Sequence, residues 1–547
     1  MEDMACGRAE RKLFLSALDP GIGKTQTILA FLRAMLPSPD HQGVGVLAIF
    51  SRLEEVKRFA AALALKVGSE SIHVITSKDD INAIGGCDDA ESARVVVVTA
   101  QHLEWAWRRG GFLTKGIETY RGRPRLVKIH DETFLPGLTL TVGRDDIAAL
   151  FGLVRPLSPL LASRLEEVFY RLKDWPDGGC LTMPNLTGCG VDIDVLLPSL
   201  GDASRDTMHA LWLLSDRTVG VRRDGAWGQT AIHYKTTFPE SWAPMLILDA
   251  SGRVRATYDA MIEHRRNMVR LYSPPKDYAN LKVHIWNRAA GKNTWAKYAN
   301  DLTDGIAATI KAKPSERWLV VHHKPGGRIP DIKAKIGAKL AGHVPEGNVA
   351  FINWGAHMAI NDYADYPNVI LAGTLFYRTS QYEALHRLSA DTPATMKDVS
   401  REDIKAIMEG EHKHLILQAG CRGNVRKSDG VGCGKMSLYV IASKATGIGE
   451  ALPAIFPGCV VVNWQHNTAP TGHVATALKV VETWRADPAR KVGDKLPFID
   501  MAKALAIDAS YFIKAVRKHP LFLERLSALP VVLAGGKTRL THVLAVA

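Results

Sequence analysis

Along the first half of the chain, short apolar runs alternate with stretches of helical spacing. Val44 to Phe50, Val95 to Thr99, Leu126 to Ile129 and Met245 to Leu248 are aliphatic runs of strand length. Glu54 to Leu65 and Gln26 to Met35 instead repeat their apolar positions three and four apart, as in Ile28, Leu29, Leu32 and Met35. Continuous apolar strands separated by helices predict a parallel sheet covered on both faces. A second such series runs from near Lys282 to about Trp464, with strands expected at 283–286, 318–322, 349–353, 369–372 and 438–441. Between Thr141 and Ser241 the pattern loosens, because Pro156, Pro159, Pro176, Pro184 and Pro198 break it into short pieces. That region, about 141–240, is expected to be a mostly helical insertion of unassigned role.

The tail differs. Asn467 to Gly472 is a polar break, followed by a helix from Val474 to Ala486 and a basic linker around Lys491 to Lys495. Pro497 to His519 fits a helix-turn-helix, with Ala502 on the first helix and Phe512, Ala515 and Val516 on the second. Ala506 takes the turn position that prefers glycine. Lys514, Arg517 and Lys518 would lie on the exposed face of the second helix, as candidate nucleic-acid contacts. Val531 to Leu544, interrupted by Gly535-Gly536, predicts a hairpin wing. A small helical bundle that only packs on the rest of the chain fits the same residues. The organisation expected is thus an α/β domain over 1–270, a second over 271–464, and a small helical module over 465–547.

Composition agrees with several domains: 547 residues, 46% hydrophobic and 23% charged. No apolar run approaches the ~18–20 residues that span a bilayer. Met1 to Arg11 is charged, without an apolar secretion core, so an intracellular, cytoplasmic location is expected. The seven cysteines form no CxxC pair, which predicts reduced thiols without structural zinc, and the histidines show no ligand spacing. Of the twelve tryptophans, those at 105, 107, 286, 318 and 354 read as core rather than as base-stacking platforms. The net charge of +13 favours a polyanionic partner.

Candidate chemistry begins at Asp19-Pro20-Gly21-Ile22-Gly23-Lys24-Thr25-Gln26. Glycines 21 and 23 let successive backbone N–H groups face one anion, Lys24 can reach β/γ-phosphates, and Thr25 can ligate Mg²⁺. The loop joins a short strand to a helix N-terminus, where phosphate is favoured. Leu18 stands where the strict pattern has Gly or Ala. Hydrolysis of ATP also requires a carboxylate on Mg²⁺ and a base for the attacking water. Asp131 and Glu132, at the end of the run 126–129, offer both, since ligands of parallel sheets bind at carboxyl ends of strands. A solvated Asp-Glu loop is the alternative. Gln418-Ala419-Gly420-Cys421-Arg422-Gly423-Asn424-Val425-Arg426 sets two arginines four apart, one helical turn. They suit either a γ-phosphate, with Arg422 ahead of Arg426, or a basic surface helix.

Together these segments resemble superfamily 2 helicases and translocases, in particular the divergent DEAD/DEAH-like forms of phages, prophages and plasmids, over roughly 12–445. DPGIGKT is similar to the first motif, Ser51-Arg52 to the next, and Thr99-Ala100-Gln101-His102 to the segment that touches the nucleic-acid backbone. IHDET resembles the DExx box and Leu248-Asp249-Ala250-Ser251 the SAT-like coupling motif. Asn353 to Asn361 resembles the fifth motif and QAGCRGNVR the sixth. Cys421 replaces its usual glycine, and its second arginine sits one place late; Ala359 stands where motif five has glycine. The resemblance implies two tandem RecA-like domains with ATP and Mg²⁺ between them. Catalytic roles would fall to Lys24, Glu132, Gln418, Arg422 and Arg426, and backbone contacts to DNA, or RNA, to Thr99, Gln101, Gly355 and Asn361. Two rivals stay open. A phage terminase-type packaging ATPase would need a nuclease site, for which only Asp362 and Asp365 offer themselves. A nucleic-acid-binding regulator would use ATP as a switch.

Overall fold

The computed structural model describes residues 1–108, 116–356, 362–396, 398–466, 470, 472–536 and 540–546. They divide into two compact units: Met1–Asn293, Glu316–Ile329 and Glu346–Trp464 form the first, and Thr294–Ser315, Pro330–Pro345 and Gln465–Ala547 the second.

The first unit holds two parallel sheets, the frames of two RecA-like lobes. In the first lobe the strand order is Met268–Arg270, Leu13–Ser16, Met245–Leu248, Val127–Asp131, Val46–Phe50, Val95–Thr99 and Ile72–Ile75. All neighbours are parallel, so each connection crosses over the sheet. The helices Lys24–Met35 and Leu53–Val67 supply Ile28, Leu32, Val56 and Phe59 to one face, against Val46, Ala48 and Val97. The second lobe orders Val349–Asn353, Trp318–His322, Asn368–Leu371, Met436–Ile441, Leu281–Trp286 and Val460–Asn463, again parallel. Its last strand was not among those expected from the sequence. Helices Arg401–Gly420 and Ile448–Ile455 bury Ile416, Ala419, Leu452 and Ile455 against this sheet.

The insertion is not mostly helical. Gly137–Gly143, Gln229–Thr236, Thr218–Arg223 and Cys180–Thr182 form a four-stranded antiparallel sheet, covered by helices Pro159–Lys173 and Asp202–Leu214 with a core of their own. The prolines punctuate rather than prevent this structure: Pro159 takes the first helical position after Ser158, whose hydroxyl accepts from Leu161 N at 3.2 Å. The sheet carries a passenger from the second lobe, the helix Thr379–Ala390. Glu383 on that helix, 1% exposed, accepts from Arg222 Nε of the sheet at 2.5 Å and from Arg387 Nε at 2.9 Å. Tyr234 OH donates to Asp391 and Ser380 Oγ to Asp224, at 3.1 and 2.6 Å. Removing one partner of a buried pair leaves the other charge uncompensated. Glu383→Ala should therefore lower unfolding stability by about 3–5 kcal/mol, read from urea denaturation.

In the second unit the tail forms a helix-turn-helix with a wing. Helix Phe498–Ala504 and helix Ala509–Tyr511, extended by Phe512–Val516, pack Ala502, Leu505, Phe512 and Val516 into one core. Ala506 adopts φ +52°, the left-handed turn conformation for which glycine is preferred. Asp508 caps the second helix by accepting from Ser510 N and Tyr511 N. Strands Lys495–Pro497, Leu540–Ala545 and Val531–Gly535 make a three-stranded antiparallel sheet, the wing. Among the described residues no helix is long and apolar enough to cross a membrane.

Candidate nucleotide site between the two lobes

Three adjacent strands of the first sheet end side by side and deliver the candidate residues. Leu13–Ser16 leads into the glycine loop, Met245–Leu248 into Asp249, and Val127–Asp131 ends on Asp131 and Glu132. Gly21 and Gly23 have φ of +85° and +96°, the backbone reversal for which the loop needs glycine. Glu132 also stands at φ +74°, rare for a residue with a Cβ and frequent at functional sites, while its N–H donates to Leu248 O at 3.0 Å. Lys24 Nζ curls onto its own loop, donating to Leu18 O at 2.7 Å and Asp19 O at 3.3 Å. Thr25 Oγ1 lies 3.4 Å from Asp131 Oδ2, so the hydroxyl and carboxylate required of a Mg²⁺ site are already neighbours. This donor set fits the cation.

The second lobe completes the chamber. A cavity of about 350 Å³ is bounded on one side by Gly23, Lys24, Thr25, Gln26, Asp131 and Glu132, and on the other by Gln418, Arg422 and Arg426. The two arginines do not share a helical face, because the helix Arg401–Gly420 stops before Arg422 and Asn424–Arg426 is a separate short turn. Gly423 breaks the helix where a Cβ would sit 2.6 Å from Met436 Sδ and Val369 Cγ2. Both arginines converge on the cavity all the same. Arg422 is 1% exposed, its Nε donating to Gln418 O at 3.0 Å and an Nη to Gln418 Oε1 at 2.8 Å. The lobes meet closely: a Cβ on Gly21 would fall 1.7 Å from Arg426 O.

Burial governs the charges. It pushes Asp131 up against the attraction of Lys24, and Glu132 up against that of Arg422. Burial draws Lys24 down, and lowers Arg422 to about 10 with Arg426 adding repulsion. A polyanion bearing Mg²⁺ would meet two lobes of complementary sign.

Four further residues went unrecognised in the sequence. Glu55, on the helix Leu53–Val67, lines the same cavity; burial and then Glu132 raise its carboxyl to about 9. Lys276, in the link between the lobes, donates from Nζ to Pro20 O at 2.9 Å and to Val425 O at 2.8 Å, bridging glycine loop and arginine turn. Asp19, fully buried, accepts from Lys276 N and from Arg253, whose guanidinium continues to the carbonyls of Ala454 and Ile455. His414 lies on the helix leading to Arg422. Its Nδ1 is 2.7 Å from Ser251 Oγ, which itself donates to Asp249 Oδ1 at 2.6 Å. Asp19 stands in the DPGIGKT segment without having been read as a contact there, and Glu55, Lys276 and His414 belong to no motif of fixed spacing.

The nucleic-acid candidates fare unevenly. Thr99 is 4% exposed and its Oγ1 accepts from His102 N at 3.3 Å, so its side chain caps a helix instead of facing solvent. Gln101 is exposed, as is Trp105 one turn later (44%), contrary to its expected place in the core, whereas Trp286 and Trp318 are buried. Gly355, at φ +94°, accepts on its carbonyl from Arg52 at 2.9 Å across the lobes. Asn361 and Ala359 lie outside the described residues. Lys514 and Lys518 are exposed, but Arg517 turns inward over the Phe498 ring at 5.6 Å. Asp362 and Asp365, the only acids offered for a nuclease, are paired with Arg58 and Lys427.

No protein-family model matches the chain, and no curated protein matches it. Among solved structures, S. tokodaii Xpd4 is similar over 84% of this chain and 99% of its own, with 11% identity and a TM-score of 0.45. A structure named XPD helicase covers 84% of this chain and 98% of its own, at 12% identity and a TM-score of 0.48. The helicase MrfA bound to DNA covers 100% of this chain and 56% of its own, at 10% identity and a TM-score of 0.37. Such likenesses say nothing of individual residues.

Proposed function

We propose that this chain is an ATP- and Mg²⁺-dependent motor on nucleic acid, of the superfamily 2 helicase or translocase type. The observation that carries this reading is the convergence of Arg422 and Arg426 on the cavity that contains Lys24, Thr25, Asp131 and Glu132. A nucleotide binder that only switches needs no arginines from a second lobe, whereas phosphoryl transfer gains most from cations placed around the developing charge.

In this reading Lys24 leaves the Leu18 and Asp19 carbonyls for the β/γ-phosphates of ATP. Thr25 and Asp131 hold the Mg²⁺, which neutralises charge on the phosphate oxygens. Glu132 orients the attacking water. Arg422, steadied by Gln418, and Arg426 stabilise the charge that grows on the transferred phosphoryl group, and do so only while the lobes are together. Turnover is then tied to opening and closing of the cleft. Nucleic acid is engaged by the exposed Gln101 and Trp105, which share a helix face, and by the Gly355 loop. These contacts are largely independent of sequence. Lys514 and Lys518 on the winged module add a second basic surface for duplex DNA. The charge of +13 suits that partner.

The test is ATP turnover measured side by side with single-stranded, duplex and forked DNA and with RNA. Stimulation by at least one of them is expected, and Lys24→Ala should abolish turnover in every case. A rate indifferent to all four polymers would leave an ATP switch; turnover retained in Lys24→Ala would remove the glycine loop from the chemistry.

A further inference from the structure

Three metal-ligating side chains meet at the opposite end of the phosphate-loop helix from the nucleotide cavity. Glu2 and Cys6 lie four apart on the short helix Glu2–Ala5 and its cap, and His41 ends the turn Pro39–His41 that follows the helix Lys24–Met35. That helix of 12 residues spans about 18 Å, so this cluster is remote from Lys24. The donor atoms form a compact triangle. Cys6 Sγ is 3.3 Å from Glu2 Oε1 and 3.7 Å from His41 Nε2, and His41 Nε2 is 3.2 Å from Glu2 Oε1.

Those edges can be compared with a tetrahedral zinc ion. Bonds of about 2.3 Å to sulfur, about 2.0–2.1 Å to imidazole and about 2.0–2.2 Å to carboxylate set the ligand separations. At the tetrahedral angle, sulfur then lies about 3.5–3.6 Å from nitrogen or oxygen, and nitrogen about 3.3–3.4 Å from oxygen. The observed edges differ from these by about 0.1–0.3 Å, so a single ion can reach all three donors with small side-chain adjustments.

Two independent features hold the donors in place. His41 Nδ1 lies 3.2 Å from Ser38 Oγ, which commits that ring nitrogen and leaves Nε2 for a ligand, the arrangement found behind metal-bound histidines. Met4 and Ala5, between Glu2 and Cys6, are buried in the core formed with Leu32, Met35 and Leu36, so both ligands project from an anchored turn. Arg94 also fixes the backbone here, donating to His41 O and Leu36 O.

We propose that Glu2, Cys6 and His41 form a three-ligand zinc site whose fourth position is left to water. One thiolate and one carboxylate balance the dication, and the sulfur and imidazole donors select zinc over magnesium. The site is distinct from the Mg²⁺ position at Thr25 and Asp131, and it ties residues 2–6 to the turn after the phosphate-loop helix. The proposal departs from the expectation of thiols without structural zinc; the ligands are 4 and 35 residues apart in sequence, and only folding brings them together.

The full chain, stripped with chelator, is titrated with Zn²⁺ against a chromophoric competitor, and separately with Co²⁺ followed by visible absorption. One tight site is expected, with tetrahedral d–d bands and a thiolate-to-cobalt charge-transfer band. Cys6→Ser and His41→Ala should each lose both signals, Cys87→Ser should keep them, and Ser38→Ala should weaken binding about 10–100-fold. Zinc should raise the thermal midpoint of the wild type but not of Cys6→Ser, which guards against a variant that merely folds badly. Equal zinc stoichiometry and affinity in wild type and Cys6→Ser, or a cobalt spectrum without the thiolate band, would overturn the proposal. Either result leaves the nucleotide site untouched.

Discussion

Replacing Arg422 with alanine should slow ATP turnover by a factor on the order of 10³ while leaving ATP affinity nearly unchanged. The guanidinium is almost wholly buried and braced by two hydrogen bonds from its own side to Gln418, so its position is set before any ligand arrives. A preorganised cation adds little to a ground state whose charge is already met by Lys24. It adds much to a transition state whose charge has moved outward. A thousandfold loss corresponds to about 4 kcal/mol of transition-state stabilisation. Single-turnover rates together with nucleotide binding by fluorescence separate the two effects. An equal loss in affinity and rate would mark Arg422 as a ground-state contact.

Glu132→Gln should separate binding from turnover in the same sense, giving a chain that binds ATP and Mg²⁺ yet turns over about 10²–10⁴-fold more slowly. The amide keeps the shape and can still hold a water, but it cannot take its proton. Glu132 is suited to the base role because burial raises its affinity for a proton, and because it lines the cavity next to Asp131 and opposite Arg422. Rapid-quench measurement of the chemical step is the check. A wild-type rate would shift the role to another acid, and Glu55, in the same cavity, would be the first to examine.

The parallel lobes were legible because a buried strand leaves an unbroken apolar run, as Val95–Thr99 and Trp318–His322 do. The glycine loop was legible because phosphate binding fixes both spacing and residue type. The antiparallel insertion was hidden by its prolines, although Leu138, Leu140 and Val142 alternate with threonines in the period of two that marks a half-buried strand. Thr99 has a second use that the sequence did not show: a threonine at a strand end serves equally to cap the next helix, and here it does so. Glu55, Lys276 and His414 were beyond reach, and so was the role of Asp19 within its loop, since their partners come from segments more than 75 residues away and no local pattern encodes that.

The fastening of helix Thr379–Ala390 onto the antiparallel sheet through Glu383, Arg222, Tyr234 and Asp391 has a mechanical consequence. By sequence that sheet belongs to the first lobe; by its ionic and hydroxyl anchors it is moored to the second. A parting of the lobes that breaks the Arg265 bonds to Leu388 and Asp391 but keeps these anchors would carry residues 137–236 along with the second lobe. The flexure would concentrate in the two short tethers: 132–136, which follows the end of strand Val127–Asp131, and 237–244, which leads into the start of strand Met245–Leu248. A pull through the first tether would act directly on the strand end that carries Asp131, beside the candidate nucleotide cavity.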